Sequence, residues 1–256
     1  MAAFSKTDVT ARVQEACLNG WPALREVALD GWLLRFSQGY TRRVNSVNIL
    51  APGERPLDEK IRYCEALYAD QGLPTIFCVP TTGLIQLDQI LDQRGYAPPE
   101  DETRVLHVSL EQGEPVRSED VALDEGRPSE DWLQTLTDLQ GRRERERRIH
   151  RQILDALAVP AVFASVPVGA GRLGAMAFGA VHDGIVCVNS VATDPEFRRR
   201  GLAQKTIAAI LAWARDVRGA TGACVPVAAD NAPAVALYQG LGFRDEIFRY
   251  HYRRAG

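Results

Sequence analysis

The sequence predicts a mixed α/β protein made of two related units in tandem, each a sheet flanked by helices. Three observations carry that expectation. Short apolar runs bounded by glycine, proline or acidic residues alternate with stretches of helical periodicity along all 256 residues. The elements of the first half run β-β-α-β-α-β. Both halves also end alike: "LDQILDQRGYAPPEDETRVLHVSL" and "AVALYQGLGFRDEIFRYHYRR" each give an amphipathic helix, a Gly-aromatic step, a polar break and a strand. Units over residues 1–112 and 113–256 are therefore expected.

Element by element, residues 7–18 read as a short helix. Residues 26–37 and 41–50 read as two strands joined by a turn at Gly39. In "LDEKIRYCEALYADQG" the apolar positions Leu57, Ile61, Cys64 and Leu67 fall at helical spacing and stop at Gly72. "PTIFCVP" is a short buried strand between prolines, "GLIQLDQILDQRGY" a helix closed by Gly95, and "ETRVLHVSL" a strand. The Glu/Asp/Gly/Pro-rich stretch 111–128 connects the halves, with a short strand at "SEDVALD". Ser129 caps a helix that continues through "RRERERRIHRQILDAL". There follow a strand at 161–168, two strands turning near Asp183-Gly184, a long helix after Gly201, a buried strand at 221–230, a helix at 232–243 and a closing strand at 246–254.

The totals mainly exclude. With 46% hydrophobic residues and a net charge of −3, the chain has neither the basic excess of a nucleic-acid binder nor an acidic tail. The first residues lack a signal-peptide pattern and no run of 18 apolar residues occurs, so a cytoplasmic protein without membrane spans is expected. The five cysteines are odd in number, dispersed and without a CxxC pair. That argues against a disulfide framework and against structural zinc, and for reduced buried thiols.

The chemistry is concentrated in "VNSVATDPEFRRRGLAQKTIAAILAWARDV". Ala203, Ile207, Ile210, Ala214 and Val217 make an apolar stripe on a helix facing a sheet. The start of that helix offers unpaired N–H groups and the positive end of its dipole, which together bind anions. Gly201 can take positive φ and, like the small Ala203, lets an anion approach the backbone. Arg198, Arg199 and Arg200 add guanidinium groups beside it. A diphosphate is the natural guest. No GxxxxGK[ST] loop is present, and "GAGRLGAMAFG" lacks the helix a dinucleotide fingerprint needs after its glycines.

The pattern Arg198-x-x-Gly201-x-Ala203 after a strand ending in "VATDPEF" resembles the pyrophosphate loop of the GNAT superfamily of N-acetyltransferases. Downstream, Asn231, Ala234, Tyr238, Gly242 and Phe243 match that superfamily's N-x-x-A-x-x-x-Y-x-x-x-G-F helix. The resemblance covers residue 130 onward. The first half looks like the degenerate unit that precedes the functional one in tandem members. It implies a sheet splayed between its fourth and fifth strands, and acetyl-CoA as co-substrate with no metal. Val191 and Thr193 would pair with the pantetheine arm. The amides of residues 199–204, including Leu202 and Gln204, would hold the pyrophosphate, and Asn231 would touch the cofactor. Tyr238 would protonate the departing thiolate. The acceptor would be an amine on a small molecule or peptide, and the chain a monomer or homodimer.

The sequence departs from the superfamily pattern at Asn189, which stands where many members have a glutamate base. An amide takes up no proton, though it can orient a water or a substrate group. His182, Asp183 and His251 are other titratable groups, each better placed for a structural role. In the first half Asp58 and Glu59 open the helix and would repel a diphosphate. That half's polar strand offers Arg42 and Arg43 as contacts for a substrate carboxylate. "GRRERERRIH" interleaves glutamates with arginines, as on a solvated helix face where Glu144 and Arg148 pair. The expectation is an acetyl-CoA-dependent acyltransferase. The alternatives are a non-catalytic CoA-binding module, or transfer of a different acyl group.

Overall fold

A computed structural model describes residues 6–81, 85–111 and 120–256. Residues 112–119 of the expected connection, and the start of the helix expected over 83–96, lie outside the described residues. In chain order the elements are α1 (Lys6–Asn19), β1 (Arg25–Leu29), β2 (Trp32–Phe36), β3 (Val47–Ile49), α2 (Leu57–Asp70), β4 (Ile76–Pro80), α3 (Ile85–Gln93) and β5 (Glu100–Ser109). Then come β6 (Ala122–Glu125), α4 (Glu130–Leu139), α5 (Glu144–Asp155), β7 (Ala161–Pro167), β8 (Leu173–His182), β9 (Ile185–Thr193), α6 (Leu202–Arg218), β10 (Gly222–Ala228), α7 (Ala232–Gly240) and β11 (Asp245–Arg254).

Three local expectations are corrected. Residues 26–37 are a hairpin, not one strand: Asp30 and Gly31 both take positive φ (45° and 82°), which a two-residue Asp-Gly turn requires. Residues 41–50 are not one strand either. Asn45 Oδ1 accepts from the amides of Ser37 (2.7 Å) and Gly39 (3.0 Å), which folds Arg42–Val44 into a 3-10 turn and leaves only β3 extended. The helix expected to run on from Ser129 is broken at Gly141 (φ 60°), so α4 and α5 are separate.

The chain forms two compact units, and they are not consecutive halves. One comprises Met1–Pro22, Val105–Val227 and Asn231–Ile247; the other Ala23–Arg104, Ala228–Asp230 and Phe248–Gly256. This division differs from the boundary expected at 112/113. In the first unit the strands are ordered β5-β10-β9-β8-β7-β6, and in the second β1-β2-β3-β4-β11. Each unit holds the same step: an antiparallel pair, then a helix crossing over to a parallel strand. The step is β2-β3-α2-β4 in one and β8-β9-α6-β10 in the other. In each, the strand that would follow is supplied by the other half of the sequence. β11 pairs with β4 from Tyr250–Pro80 to Arg254–Ile76, while β5 lies beside β10.

In the larger unit the two faces of the sheet differ, as alternation along strands dictates. Val186 and Val188 of β9 and Ala223, Val225 and Val227 of β10 meet Ile207, Ile210, Trp213 and Ala214 of α6, with Tyr238 of α7. Val217 falls outside this stripe: it is 57% exposed and lines a groove with Val121, Leu123 and Trp213 instead. α6 lies close on β8: a Cβ on Gly179 would come 2.3 Å from Ile210 Cγ2. On the opposite face Trp132, Phe163, Phe178 and Trp21 pack ring to ring, and His150 touches Trp21 at 5.2 Å between centroids.

Candidate active site

The site grows from the point where two parallel strands part. β10 pairs with β9 only from Gly222–Ile185 to Cys224–Cys187. Beyond that, β9 carries a bulge. Phe178 faces Asn189 and Met176 faces Ala192, so three steps on β9 match two on β8, and Ser190 takes φ 53°. Pro226, which has no N–H to offer a neighbour, follows two residues after the last pair on β10. Nothing in the sequence reading anticipated the bulge.

β9 then leads into a fixed turn. Asp194 accepts from the amide of Glu196, and Arg172 bridges Asp194 (2.7 Å) and Glu196 (2.8 Å), which holds Pro195–Phe197 in a 3-10 turn. These contacts hold the Asp194 carboxyl below the usual range, the Arg172 bond first among them. Arg199 follows with φ 61° and Gly201 with φ 74° as the N-cap of α6. The first helical bond to close is Lys205 N–H to Gly201 O, at 3.1 Å. The amides of Leu202, Ala203 and Gln204 are thus free of the helix and face outward.

A cleft of about 590 Å³ opens here, lined by Val191, Thr193, Arg198, Arg199, Gly201, Leu202, Ala203, Gln204 and Asn231. Leu139 and Gln140, at the end of α4, also line it. Arg200 does not; its guanidinium stacks 5.1 Å from the Phe197 ring. Asn231 has a second task, since its side chain accepts from Ala234 N–H (3.2 Å) and caps α7.

Tyr238, 6% exposed, stands edge-on to Phe243 at 6.0 Å. Burial, with a smaller push from Cys187, raises its phenol to about 12, so the proton stays on across the ordinary pH range. Asn189 is 3% exposed, and its Nδ2 donates to Gly20 O (3.2 Å) and Cys187 O (3.1 Å). Its Oδ1 is buried without a hydrogen-bond partner.

The remaining titratable groups are engaged elsewhere. His182 meets Glu15 at 3.4 Å, Asp183 binds Arg12 at 2.8 Å, and His251 meets Asp88 at 3.0 Å. In the smaller unit Arg42 pairs with Glu100 (3.2 Å) and with Asp101, and the Arg43 carbonyl accepts from Arg35 (3.1 Å). On α5, Glu144 pairs with Arg147 rather than chiefly with Arg148. His150, overlooked in the sequence, is 1% exposed, and burial followed by the charge of Arg142 lowers it to about 3. Cys17, Cys187 and Cys224, dispersed along the chain, converge: their sulfur atoms all lie within 4.8 Å of one another. No helix among the described residues is long and apolar enough to cross a membrane.

A strand parting from its parallel neighbour, followed by a glycine-capped helix start, agrees with the GNAT superfamily of N-acetyltransferases, the class that the chain's relatives and structural neighbours name. The family model described as "Probable histone acetyltransferase Rv0428c C-terminal" matches residues 8–254, and the chain belongs to that family. An uncharacterized N-acetyltransferase, YobR of Bacillus subtilis (strain 168), is 25% identical over 248 residues, covering 96% of this chain and 98% of the relative. A GCN5-related N-acetyltransferase from Kribbella flavida superposes with a TM-score of 0.66 at 16% identity, covering 100% of this chain and 97% of that one. A tandem GNAT protein from the clavulanic acid biosynthesis pathway gives a TM-score of 0.64 at 15% identity over 82% of this chain and 74% of that one.

Proposed function

We propose that this acyltransferase moves an acetyl group from acetyl-CoA to a primary amine by direct attack, within the larger unit, and that the smaller unit is a degenerate copy without a CoA site. The observation that carries the reading is the cleft. Bare amides at the start of α6 lie at one end of a bulged strand whose own backbone is released from β10. The amides of residues 199–204, with Arg198 and Arg199, would take the diphosphate. Val191 and Thr193 would pair with the pantetheine arm, and Asn231 would bound the opening.

The amine nitrogen bonds to the thioester carbon, the oxyanion is met by a β9 amide, and the C–S bond breaks. Tyr238 gives its proton to the leaving sulfur and regains one from the acylated nitrogen through water. Asn189 takes no proton. With Nδ2 committed to two carbonyls, it offers Oδ1 to a water or to the incoming N–H. The acceptor therefore reacts as the neutral amine.

Replacing Tyr238 with Phe tests this reading. Turnover measured as CoA release over an amine panel is expected to fall about 100-fold or more, with acetyl-CoA affinity by calorimetry unchanged. Unchanged turnover removes Tyr238 from the mechanism. The second reading, a CoA-binding module without catalysis, draws on the buried amide at Asn189. It prevails if acetyl-CoA binds and no amine releases CoA above hydrolysis.

A further inference from the structure

We propose that Cys17, Cys187 and Cys224 form a three-thiolate site for a thiophilic divalent cation, with zinc the member of that class a cell supplies. The donors come from three elements of the larger unit. Cys187 and Cys224 face each other across the last rung of the β9–β10 pair, and Cys17 comes down on them from α1. The Cys17–Cys224 sulfur distance is 3.8 Å and the Cys187–Cys17 distance 4.0 Å. At a metal–sulfur bond of about 2.3 Å, the edge of the sulfur triangle is about 3.8 Å in a tetrahedral site and about 4.0 Å in a trigonal one. Two edges of the triangle thus already stand at the separations a bound ion would impose, and the third lies within 4.8 Å.

The donor set selects the ion. Sulfur without oxygen or nitrogen favours soft and borderline cations over magnesium or calcium. Three thiolates with a divalent ion leave one negative charge, whereas a monovalent ion leaves two, which a buried site tolerates less well. Cys187 and Cys224 are fully buried, while the partly exposed Cys17 gives an entry side. Asn189 Nδ2 holds the Cys187 carbonyl at 3.1 Å, which fixes the backbone that carries this thiol. Ligation needs thiolates, so binding releases the thiol protons. The grouping escapes sequence spacing because its members stand 170 and 207 residues apart.

The test uses the full-length protein, reduced, loaded with Zn²⁺ and dialysed, with metal counted by mass spectrometry. One equivalent per chain is expected, together with a rise in melting temperature on zinc addition. Cys17→Ala should weaken zinc binding about 10- to 100-fold or abolish it and remove the thermal shift. Cys64→Ala and Cys78→Ala should leave both intact. Cd²⁺ in place of zinc should give an ultraviolet sulfur-to-metal charge-transfer band that Cys17→Ala loses. Cys17 is partly exposed, so that variant keeps the test decisive even where Cys187→Ala or Cys224→Ala fails to fold; circular dichroism verifies its fold. Substoichiometric zinc, uptake indifferent to Cys17→Ala, or a chain that forms a disulfide among these thiols and takes up no metal each overturns the proposal. The readout is metal, not acetyl transfer, and stands apart from the outcome at Tyr238.

Discussion

Asn189 and His150 show how single side chains on one face of the sheet are set by what surrounds them. Asn189 Nδ2 faces two carbonyl oxygens, so Asn189→Asp would aim a carboxylate oxygen at Gly20 O and Cys187 O with no proton between them. A loss of about 1–3 kcal/mol is expected in chemical denaturation, because buried acceptors lose their donor. Restoring a carboxylate here should therefore not restore a base. His150 contributes to the response to acid. It titrates near 6.5 when unfolded and near 3 when folded, so the unfolded chain binds the extra proton between those values. Stability present above pH 6.5 is lost progressively as pH falls toward 3, and His150→Gln should flatten that part of the melting-temperature profile. An unchanged slope would mean His150 is already charged in the native state. The loop around Gly201 was legible in the sequence because a positive-φ glycine at a helix start is a local signal. His150 was not, since its burial depends on Trp21, far away in the chain.

At the level of elements, α6 and β8 are in closer contact than ordinary side chains would permit. Gly179 is the reason: a Cβ there would meet Ile210 Cγ2 at 2.3 Å and Val186 Cγ2 at 2.9 Å. Gly179→Ala should push the helix away and destabilise by about 1–3 kcal/mol, and it should also weaken acetyl-CoA binding, because α6 carries the amides that line the cleft. Destabilisation with unaltered affinity would show that the helix start moves independently of its middle. The helices and the β8–β9 hairpin were readable from periodicity and turn residues. The bulge at Ser190 was not, since a single residue that changes register leaves the alternation of types almost intact. The break at Gly141 was obscured by the strong helix formers on both sides.

For the whole molecule, the exchange of closing strands decides what can be separated. The larger unit contains α1 and the second part of β5, neither of which lies in residues 113–256. A fragment of 113–256 should therefore lack the strand beside β10 and the helix that carries Cys17. It is expected to aggregate or melt without a cooperative transition, where the intact chain melts in one; a soluble, cooperatively folded fragment would contradict this. The repeated step within the two units was legible, because each copy is continuous in sequence. The exchange was not, since β11 pairs with β4 from the other half of the sequence and the alternation along a strand does not name its partner. The exchange also shields an edge. Residues 250–254 cover β4, and without them that strand would present unpaired backbone groups to any other chain. The closing strand thus doubles as a guard against sheet-to-sheet association between molecules.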